Sequence, residues 1–377
     1  MKYFIIAGEQ SGDLHGSNLV KGLKAADSKA EIVCWGGDLM EAAGAKLLVH
    51  YRKMAFMGFI EVIKNLGAIS KNLTLCKQQI DDHKPDVVVL IDYPGFNMRI
   101  AEYAKNAGYK TFWYISPKLW AWNEGRVKKV KKFVDRMFII FPFEVDFYKK
   151  HDIIVEYMGN PLVDETESRI ASFSSKSDIC KNLGIENKPV IALLAGSRKH
   201  EIELILPEML KVVHHFPEYQ FVLAGVKNIQ EEMYMKIIGN ELVKLIKEKT
   251  YEILYIAEAA LVTSGTATLE AALHGTPQVV CYKGDFISAL IARIVVKVKY
   301  ISLVNLIMDT EVVRELLQYD LREKTILNEL KAVLPGGSKR EKILSAYKDL
   351  KQRLGPAGAS GRIAGEMVEV LRAQSTE

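Results

Sequence analysis

Apolar and polar residues alternate along the chain in short blocks that predict strands separated by amphipathic helices. Several blocks, such as Val87–Ile91, are apolar throughout, which is typical of parallel strands covered by helices on both faces. The predicted strands are Lys2–Ala7, Glu31–Trp35, Lys46–His50, Val87–Asp92, Thr111–Ser116 and Met137–Phe141, then Val190–Ala195, Phe221–Ala224, Ile253–Tyr255, Leu261–Thr263 and Gln278–Tyr282.

These strands form two series, and a chain of 377 residues is too long for one typical core. We therefore predict an α/β fold with two Rossmann-like, doubly wound domains, over residues 1–165 and 166–335. A polar, serine-rich stretch from Asp164 to Ser177 is the predicted linker, and a cleft between two such domains suits a small-molecule site. Residues 336–377 follow a Pro-Gly-Gly break and are helical by pattern, and either cross back to the first domain or dock on another subunit.

Composition narrows the class of protein. The chain is 49% apolar and 26% charged with a net charge of +5, which does not indicate nucleic acid. Its four cysteines are widely spaced without a Cys-x-x-Cys pair, which argues against a zinc site or a disulfide framework. The N-terminus lacks an export signal, so we expect a cytoplasmic protein. The most apolar stretch, Phe286–Met308, carries Arg293, Lys297 and Lys299 and is too charged to cross a bilayer unassisted.

The first predicted strand runs into Gly8-Glu9-Gln10-Ser11-Gly12-Asp13, a turn ahead of a helix. Helix N-termini at strand ends bind anions, but this turn carries two acids and matches neither a dinucleotide loop nor a P-loop. We interpret Glu9, Ser11, Gly12 and Asp13 as shaping a cleft or contacting hydroxyl groups. The alternative is that Ser11 and Asp13 only cap the helix.

A second acidic turn, Asp92-Tyr93-Pro94-Gly95-Phe96-Asn97, follows the buried fourth strand. A carboxylate at the carboxyl end of a parallel strand points into the ligand crevice, and partial burial raises its pKa towards that of a general base. Asp92 is therefore the candidate catalytic residue, with Asn97 nearby. A helix cap is the alternative role for both residues.

Phosphate-binding chemistry is predicted in the second domain, at two glycine turns that each follow a strand. The first is Gly196-Ser197-Arg198 ahead of Glu201, where Arg198 can bind a phosphate through two parallel hydrogen bonds. The second is Ser264-Gly265-Thr266-Ala267-Thr268-Leu269-Glu270, whose hydroxyls and amides suit a diphosphate and whose Glu270 suits ribose hydroxyls. Ordinary helix capping is the alternative for both turns. No Asp-x-Asp and no histidine cluster in sequence accompany them, so no metal is expected.

Two stretches favour contact with a membrane or an acylated ligand. The segment Phe56–Leu66 places large apolar groups over most of a helix surface. The run Arg126–Lys132 holds five cations within seven residues, near Trp113, Trp120 and Trp122. Each stretch alone is typical of a core helix or a solvated helix face. The membrane-contact candidates are Phe56, Met57, Phe59, Ile60 and Ile63.

Seven segments occur in the order seen in the lipid A disaccharide synthase family, which the chain resembles from about residue 3 to about residue 318. The Gly-Glu-x-Ser-Gly-Asp and Ser-Pro-x-x-Trp-Ala-Trp patterns are highly specific. The segments are Gly8–Asp13, Ile91–Asn97, Ser116–Trp122, Phe141–Glu144, Gly196–Arg198, Ser264–Glu270 and Ser302–Asn305.

The resemblance implies a glycosyltransferase of the two-Rossmann GT-B type that is inverting and needs neither a metal nor another cofactor. Such an enzyme joins UDP-2,3-diacylglucosamine to 2,3-diacylglucosamine 1-phosphate and releases a β-1,6-linked disaccharide and UDP. By this resemblance Asp92 is the base for the acceptor 6-hydroxyl. The residues implied to hold the UDP-sugar are Gly196, Ser197, Arg198, Glu201, Ser264, Gly265, Thr266, Thr268, Glu270 and Asn305, and those implied on the acceptor side are Glu9, Ser11, Gly12, Asp13, Asn97, Ser116 and Trp120.

The resemblance also implies the partners. They are acylated glucosamine lipids, UDP, the inner face of the cytoplasmic membrane, and a second copy in a homodimer that exchanges C-terminal segments; nucleic acid is not among them. Two positions depart from the family pattern. Ala195 stands where Pro is usual, and Gly95 stands where many members carry a second acid, which places more reliance on Asp92.

Two rival hypotheses stay open at this point. Another UDP-sugar enzyme of the same fold, such as a UDP-N-acetylglucosamine 2-epimerase or a murein-type transferase, shares the phosphate-binding turns, but an epimerase would not need the apolar face of Phe56–Leu66. A non-catalytic peripheral membrane protein would need neither Asp92 nor the turn Ser264–Glu270.

Overall fold

The computed structural model describes residues 1–54, 66–122, 124–284 and 299–374. The membrane-contact candidates Phe56, Met57, Phe59, Ile60 and Ile63 lie outside these described residues, as does most of the apolar stretch Phe286–Met308. Within the described part of the chain, no helix is both long enough and apolar enough to cross a bilayer. The chain forms two compact units, Met1–Asp164 with Gly355–Glu377, and Glu165–Leu354.

The first unit contains a seven-stranded parallel sheet in the order β3-β2-β1-β4-β5-β6-β7. The strand order reverses between the neighbours β1 and β4, and ligands bind at such switch points of open α/β sheets. The strands are β1 (Lys2–Ala7), β2 (Glu31–Gly36), β3 (Lys46–His50), β4 (Val87–Ile91), β5 (Lys110–Tyr114), β6 (Arg136–Ile139) and β7 (Glu156–Tyr157).

Helices cover both faces of this sheet, which explains why its central strands are apolar throughout. Along β1, Tyr3 and Ile5 belong to one hydrophobic core, whereas Phe4 and Ile6 belong to the core on the opposite face. The helices are α1 (Gln10–Ala26), α2 (Asp38–Ala42), α3 (Leu66–His83), α4 (Pro94–Asn106), α5 (Leu119–Trp122), α6 (Val127–Phe133) and α7 (Phe143–Lys149), with 3₁₀ turns at Tyr51–Lys53 and Glu124–Arg126.

The second unit contains a six-stranded parallel sheet in the order β10-β9-β8-β11-β12-β13. Its order reverses between β8 and β11, so the same kind of switch point recurs. The strands are β8 (Val190–Leu194), β9 (Gln220–Gly225), β10 (Val243–Lys247), β11 (Ala257–Thr263), β12 (Gln278–Tyr282) and β13 (Glu315–Leu317). The helices are α8 (Pro161–Ala171), which begins before the boundary between the units, α9 (Lys176–Leu183), α10 (Lys199–Leu210), α11 (Glu231–Ile238), α12 (Thr250–Ile256), α13 (Thr266–Leu273), α14 (Leu303–Met308), α15 (Glu323–Val333) and α16 (Arg340–Leu354), with 3₁₀ turns at Val213–His215 and Gln318–Asp320.

The last helix, α17 (Ala359–Gln374), packs within the first unit of the same chain. Ile363 and Met367 share a core with Leu19 and Leu23 of α1. The Asp164 carboxylate accepts hydrogen bonds from three consecutive amides, at Gly358, Ala359 and Ser360, and so caps this helix. The segment predicted as one piece over 336–377 is thus divided at Leu354, because α16 belongs to the second unit.

Two local expectations were wrong. Ile253–Tyr255, predicted as a strand, lies in helix α12, because a short apolar run has no period that separates a buried helix from a buried strand. The predicted linker is largely helical, in α8 and α9.

Three strands were not predicted from the sequence. Strand β7 has two residues, β13 has three, and the lysines of β10 interrupt its apolar pattern.

Candidate functional site

The carboxyl edge of the first sheet brings together three turns that are distant in sequence. Ala7 of β1 is in register with Ile91 of β4, and Ile91 is in register with Tyr114 of β5. The chain therefore leaves the sheet at Gly8, Asp92 and Ile115 on the same edge, next to the switch point.

The Asp92 turn has an unusual backbone. Asp92 and Tyr93 are left-handed, with φ of +44° and +49°, a conformation that few residues other than glycine adopt. The buried Asn97 side chain donates to the carbonyls of Ile91 at 3.2 Å and Asp92 at 2.8 Å. Asn97, predicted on the acceptor side, therefore holds the turn that carries Asp92.

The electrostatics of Asp92 suit a general base. Burial raises the pKa of its carboxyl to about 6, and the negative charge of Glu9 acts in the same direction. The positive charge of Lys118 opposes both and lowers the pKa. At neutral pH the carboxyl is mostly ionised and still more basic than an ordinary aspartate, which is the state that proton abstraction requires.

The hexapeptide Gly8–Asp13 divides into a part at the edge and a part in the core. Glu9 is partly exposed at the N-terminus of α1 and accepts a hydrogen bond from the Ser11 hydroxyl at 3.3 Å. Position 8 has room only for glycine, because a Cβ there would lie 2.2 Å from the Tyr93 ring. Gly12 is buried in α1 against β1.

Asp13 does not face the edge. Its carboxylate is 3% exposed and accepts from the amides of Gly37, Leu39 and Met40 at 2.8–3.1 Å. These bonds cap helix α2, so Asp13 has the structural role of a helix cap, and it is the next helix in the chain that it caps rather than its own.

A buried carboxylate that the site prediction missed organises the turn after β5. Glu144 is 1% exposed and accepts from the Ser116 hydroxyl, from the Trp120 indole at 3.2 Å and from the amides of Ile140 and Phe141. Burial raises its pKa to about 7. Ser116 and Trp120, predicted on the acceptor side, are both bound to this carboxylate. The motif Phe141–Glu144 was noticed in the sequence, but nothing there indicates which residues Glu144 contacts.

The second sheet has a corresponding edge. Leu194 of β8 is in register with Val262 of β11, so the two predicted glycine turns leave the sheet side by side. In the first turn Gly196 has φ +120°, and the Ser197 amide and the Arg198 guanidinium each lie 3.4 Å from the Glu201 carboxylate. The Arg198 side chain is 69% exposed, which leaves its guanidinium accessible to a ligand.

The second turn presents a helix N-terminus. Gly265 has φ +143°, a conformation open only to glycine, and α13 begins at the exposed Thr266 without a side-chain cap. The first amides of a helix have no partner within it, so they are available to an anion. The Ser264 hydroxyl already donates to the Ile301 carbonyl at 2.8 Å.

Two predicted ligands of the UDP-sugar prove to be structural. The buried Thr268 hydroxyl donates to the Gly265 carbonyl at 2.8 Å and accepts from the Leu303 amide at 3.2 Å. The buried Asn305 amide binds the Val313 carbonyl, the Glu315 carboxylate and the amides of Val312 and Val313, at 2.8–3.0 Å. Its hydrogen-bonding capacity is used within the protein, so the side chain joins α14 to β13 and the turn before it.

Glu270 lies one turn into α13. Its carboxylate accepts a hydrogen bond from the Tyr251 hydroxyl at 3.2 Å, and burial raises its pKa to about 7. The side chain is incompletely buried, and the carboxyl retains acceptor capacity beyond the Tyr251 bond. It can therefore accept from ligand hydroxyls.

The basic run lies on helix α6. Val127, Val130 and Phe133 are buried, while the four lysines are exposed, and two of these form ion pairs, Lys129 with Glu102 and Lys131 with Asp152. Trp113 is fully buried in the core, so it cannot belong to a membrane-facing surface as predicted. The lysine face is exposed and positively charged.

Two features of the second unit lie away from the predicted site residues. His214, His215 and Glu323 converge at the surface with potential metal-ligating atoms within 4.8 Å of one another, a grouping of described residues that the sequence did not reveal. A groove of about 420 Å³ lies between the end of α13 and helix α16. Neither contains a predicted site residue.

The sequence matches the family model described as Lipid-A-disaccharide synthetase over residues 3–361. The lipid-A-disaccharide synthase of Geobacter metallireducens is 36% identical over 378 residues, which cover 98% of this chain and 97% of that protein. The corresponding synthase of Coxiella burnetii is 34% identical over 365 residues, 96% of each chain.

Solved structures resemble the fold at much lower identity. UDP-GlcNAc 2-epimerase from Neisseria meningitidis bound to UDP-GlcNAc has a TM-score of 0.72 at 13% identity, over 98% of this chain and 100% of that one. The calicheamicin glycosyltransferase CalG4 has a TM-score of 0.61 at 12% identity, over 100% and 99%. At these identities the likeness concerns the fold alone, and it confirms the predicted pair of Rossmann-like domains.

Proposed function

This chain belongs to the lipid-A-disaccharide synthetase family, a family of glycosyltransferases, and from this premise we propose how its residues carry out lipid A disaccharide synthesis. The donor is a UDP-activated 2,3-diacylglucosamine, and the acceptor is 2,3-diacylglucosamine 1-phosphate. The acceptor 6-hydroxyl attacks C1 of the donor sugar. A C1–O6 bond forms with inversion, and the bond from C1 to the diphosphate breaks and leaves its electron pair on UDP.

Asp92 is the proposed base that takes the proton from the acceptor hydroxyl. The supporting observation is its position: it follows β4 at the switch point, on a left-handed turn held by Asn97, with a pKa raised to about 6. A carboxyl at this position is ionised at neutral pH and can accept a proton as the C1–O6 bond forms.

The second unit is proposed to hold the UDP-sugar. The N-terminus of α13 and the Arg198 guanidinium provide donors and positive charge for the diphosphate, and Glu270 provides an acceptor for the ribose hydroxyls. As the C1–O bond breaks, the diphosphate gains negative charge, and the same donors stabilise it. This arrangement supports leaving-group departure without a bound cation.

We further propose that the protein is a homodimer that associates with the inner face of the cytoplasmic membrane. The apolar sequence Phe56–Leu66 and the exposed lysine face of α6 support membrane contact. Phe59→Ser combined with Ile60→Ser should release the protein from anionic vesicles at unchanged thermal stability. A loss of stability instead would place these side chains in the core. Light scattering measures the mass of the free protein and tests the dimer.

The decisive experiment is incubation of the protein with the two acylated monosaccharides, with UDP and disaccharide detected by mass spectrometry. The proposal requires equal amounts of both products. Conversion of UDP-N-acetylglucosamine to its 2-epimer, without disaccharide, would favour the epimerase alternative. Vesicle binding without turnover of either substrate would favour the non-catalytic alternative.

A further inference from the structure

The segment from Ile115 to Trp120 begins with a residue whose side chain does not favour its backbone conformation. Ile115 is left-handed with φ +62°, and β-branched residues are genuine outliers in that conformation. Its amide donates to the Phe138 carbonyl of β6 at 3.0 Å. Such strain persists only where surrounding contacts enforce it, and it concentrates at functional sites.

Glu144 supplies the contacts that hold this segment. One of its carboxylate oxygens binds both the Ser116 hydroxyl and the Trp120 indole, and the other binds the amides of Ile140 and Phe141 at the end of β6. The Trp120 ring also packs edge-on against Phe143, with 4.9 Å between ring centroids. A single buried carboxylate thus joins two turns of the first unit.

Between the two anchored positions, Ser116 and Trp120, the chain exposes one cation. Pro117 and Leu119 are buried, whereas Lys118 is exposed. Asp92 lies on the adjoining strand end, with its amide 3.2 Å from the Tyr114 carbonyl, and Lys118 interacts electrostatically with its carboxylate. The Glu9 carboxylate also acts on Asp92, with the opposite effect.

We propose that Glu144 is a positioning residue: by fixing the chain at Ser116 and Trp120, it holds the exposed Lys118 on the turn that leaves the sheet next to the Asp92 turn. This inference rests on the proposed function, in which Asp92 is the base. Lys118 favours the ionised carboxylate that can accept a proton, while Glu9 and burial keep that carboxylate basic. Glu144 itself contacts neither substrate nor the reacting atoms.

The test compares the pKa of Asp92 in four proteins by ¹³C NMR of labelled aspartate, with the signal assigned from Asp92→Asn. The proteins are the wild type, Lys118→Met, Glu144→Gln and the double variant. Lys118→Met should raise the Asp92 pKa, because it removes the favourable positive charge. Glu144→Gln should also raise the Asp92 pKa, because the glutamine NH₂ would face donors that now bind a carboxylate and the segment would lose its anchor. The double variant should show no further rise.

Kinetics provide a second readout. In Glu144→Gln the acid limb of kcat/KM should move to higher pH, with a loss on the order of 10-fold at neutral pH and unchanged UDP affinity. Glu156→Gln is the matched control, a partly buried glutamate of the same sheet that pairs with Arg136, and it should leave the Asp92 pKa unchanged.

Each result of these measurements either supports or overturns the positioning role of Glu144. An unchanged Asp92 pKa in Lys118→Met, or a rise there but not in folded Glu144→Gln, overturns the proposal. If Glu144→Gln does not fold, Ser116→Ala and Trp120→Phe each remove one bond to Glu144 and should each give part of the rise; no rise in either overturns the proposal. The expected NMR shifts in a protein that makes no disaccharide would overturn the proposed function but support the positioning role.

Discussion

The edge of the first sheet at Asp92 and the edge of the second sheet at Gly265 occupy the same topological position but differ in backbone. After β4 and β5 the left-handed residues are Asp92, Tyr93 and Ile115, with φ of +44°, +49° and +62°. After β8 and β11 they are Gly196 and Gly265, with φ of +120° and +143°. One edge forces ordinary side chains into a disfavoured conformation, whereas the other uses glycines that adopt theirs freely.

This difference suits the two tasks that we propose for these edges. A residue on a disfavoured backbone must be held by its surroundings: Asn97 holds the turn that carries Asp92, and Glu144 holds the segment that follows Ile115. A glycine turn ahead of a helix instead leaves amides exposed to an incoming anion. The first edge is suited to a reacting group and the second to a bound diphosphate.

The largest effect is expected at the first edge. Asp92→Asn should lower kcat by about 10³-fold, because an amide cannot accept the acceptor proton. Asparagine tolerates the left-handed backbone, so the fold should persist and UDP affinity should not change. Steady-state kinetics with circular dichroism and calorimetry measure these quantities. Near-normal turnover by a folded variant would remove Asp92 as the base.

A binding effect is expected at the second edge. Arg198→Ala should weaken UDP affinity by roughly 10- to 100-fold, because a charged hydrogen bond to phosphate is lost. Arg198→Lys is the matched control, because lysine keeps the positive charge but lacks the paired donors. Its UDP affinity should lie between those of the wild type and Arg198→Ala. Isothermal calorimetry measures the affinity, and an unchanged Kd in Arg198→Ala would exclude a phosphate contact.

Glu270→Gln separates binding from stability at the same edge. The folded pKa of about 7 lies above the ordinary value of 4.5, so the folded state binds more protons between these values and wild-type stability falls as pH rises through that window. Glutamine does not ionise and lacks this loss, so the unfolding free energy of the variant minus that of the wild type should rise by about 1 to 3 kcal/mol between pH 4.5 and pH 8. Denaturant titrations at both pH values check this, and a wild-type-like pH dependence would contradict it. UDP affinity should fall severalfold in the same variant.

The smallest effect is expected from chelation. Excess EDTA should leave disaccharide formation unchanged, since Arg198 and the α13 amides are proposed to stabilise the diphosphate. Loss of activity that added Mg²⁺ restores would show that the second edge needs a cation. The surface group His214, His215 and Glu323 then serves as a control, because His215→Ala should not alter either result.

The sequence predicted which strands reach these edges, but not which polar residues are accessible there. Asp13 and Asn305 have the residue types of ligand-binding turns and lie in motifs of the family. The partner Gly37 lies 24 residues from Asp13, and the partners Val313 and Glu315 lie 8 and 10 residues from Asn305, outside the motif in each case. A side chain that caps a helix and one that binds a sugar have the same local pattern, so only the partner distinguishes them.

The sequence by itself determined the two series of parallel strands, the Asp92 and glycine turns at their ends, and the family to which the chain is similar. These features depend on local periodicity and on short motifs, which are readable along the chain. The tertiary structure alone decided that Asp13, Thr268 and Asn305 are bound within the protein, that α17 packs on α1, and that Glu144 holds the turn bearing Lys118. The physical reason is that a buried polar group must find a partner, and whether that partner is the protein or a ligand depends on what the folded chain packs against it.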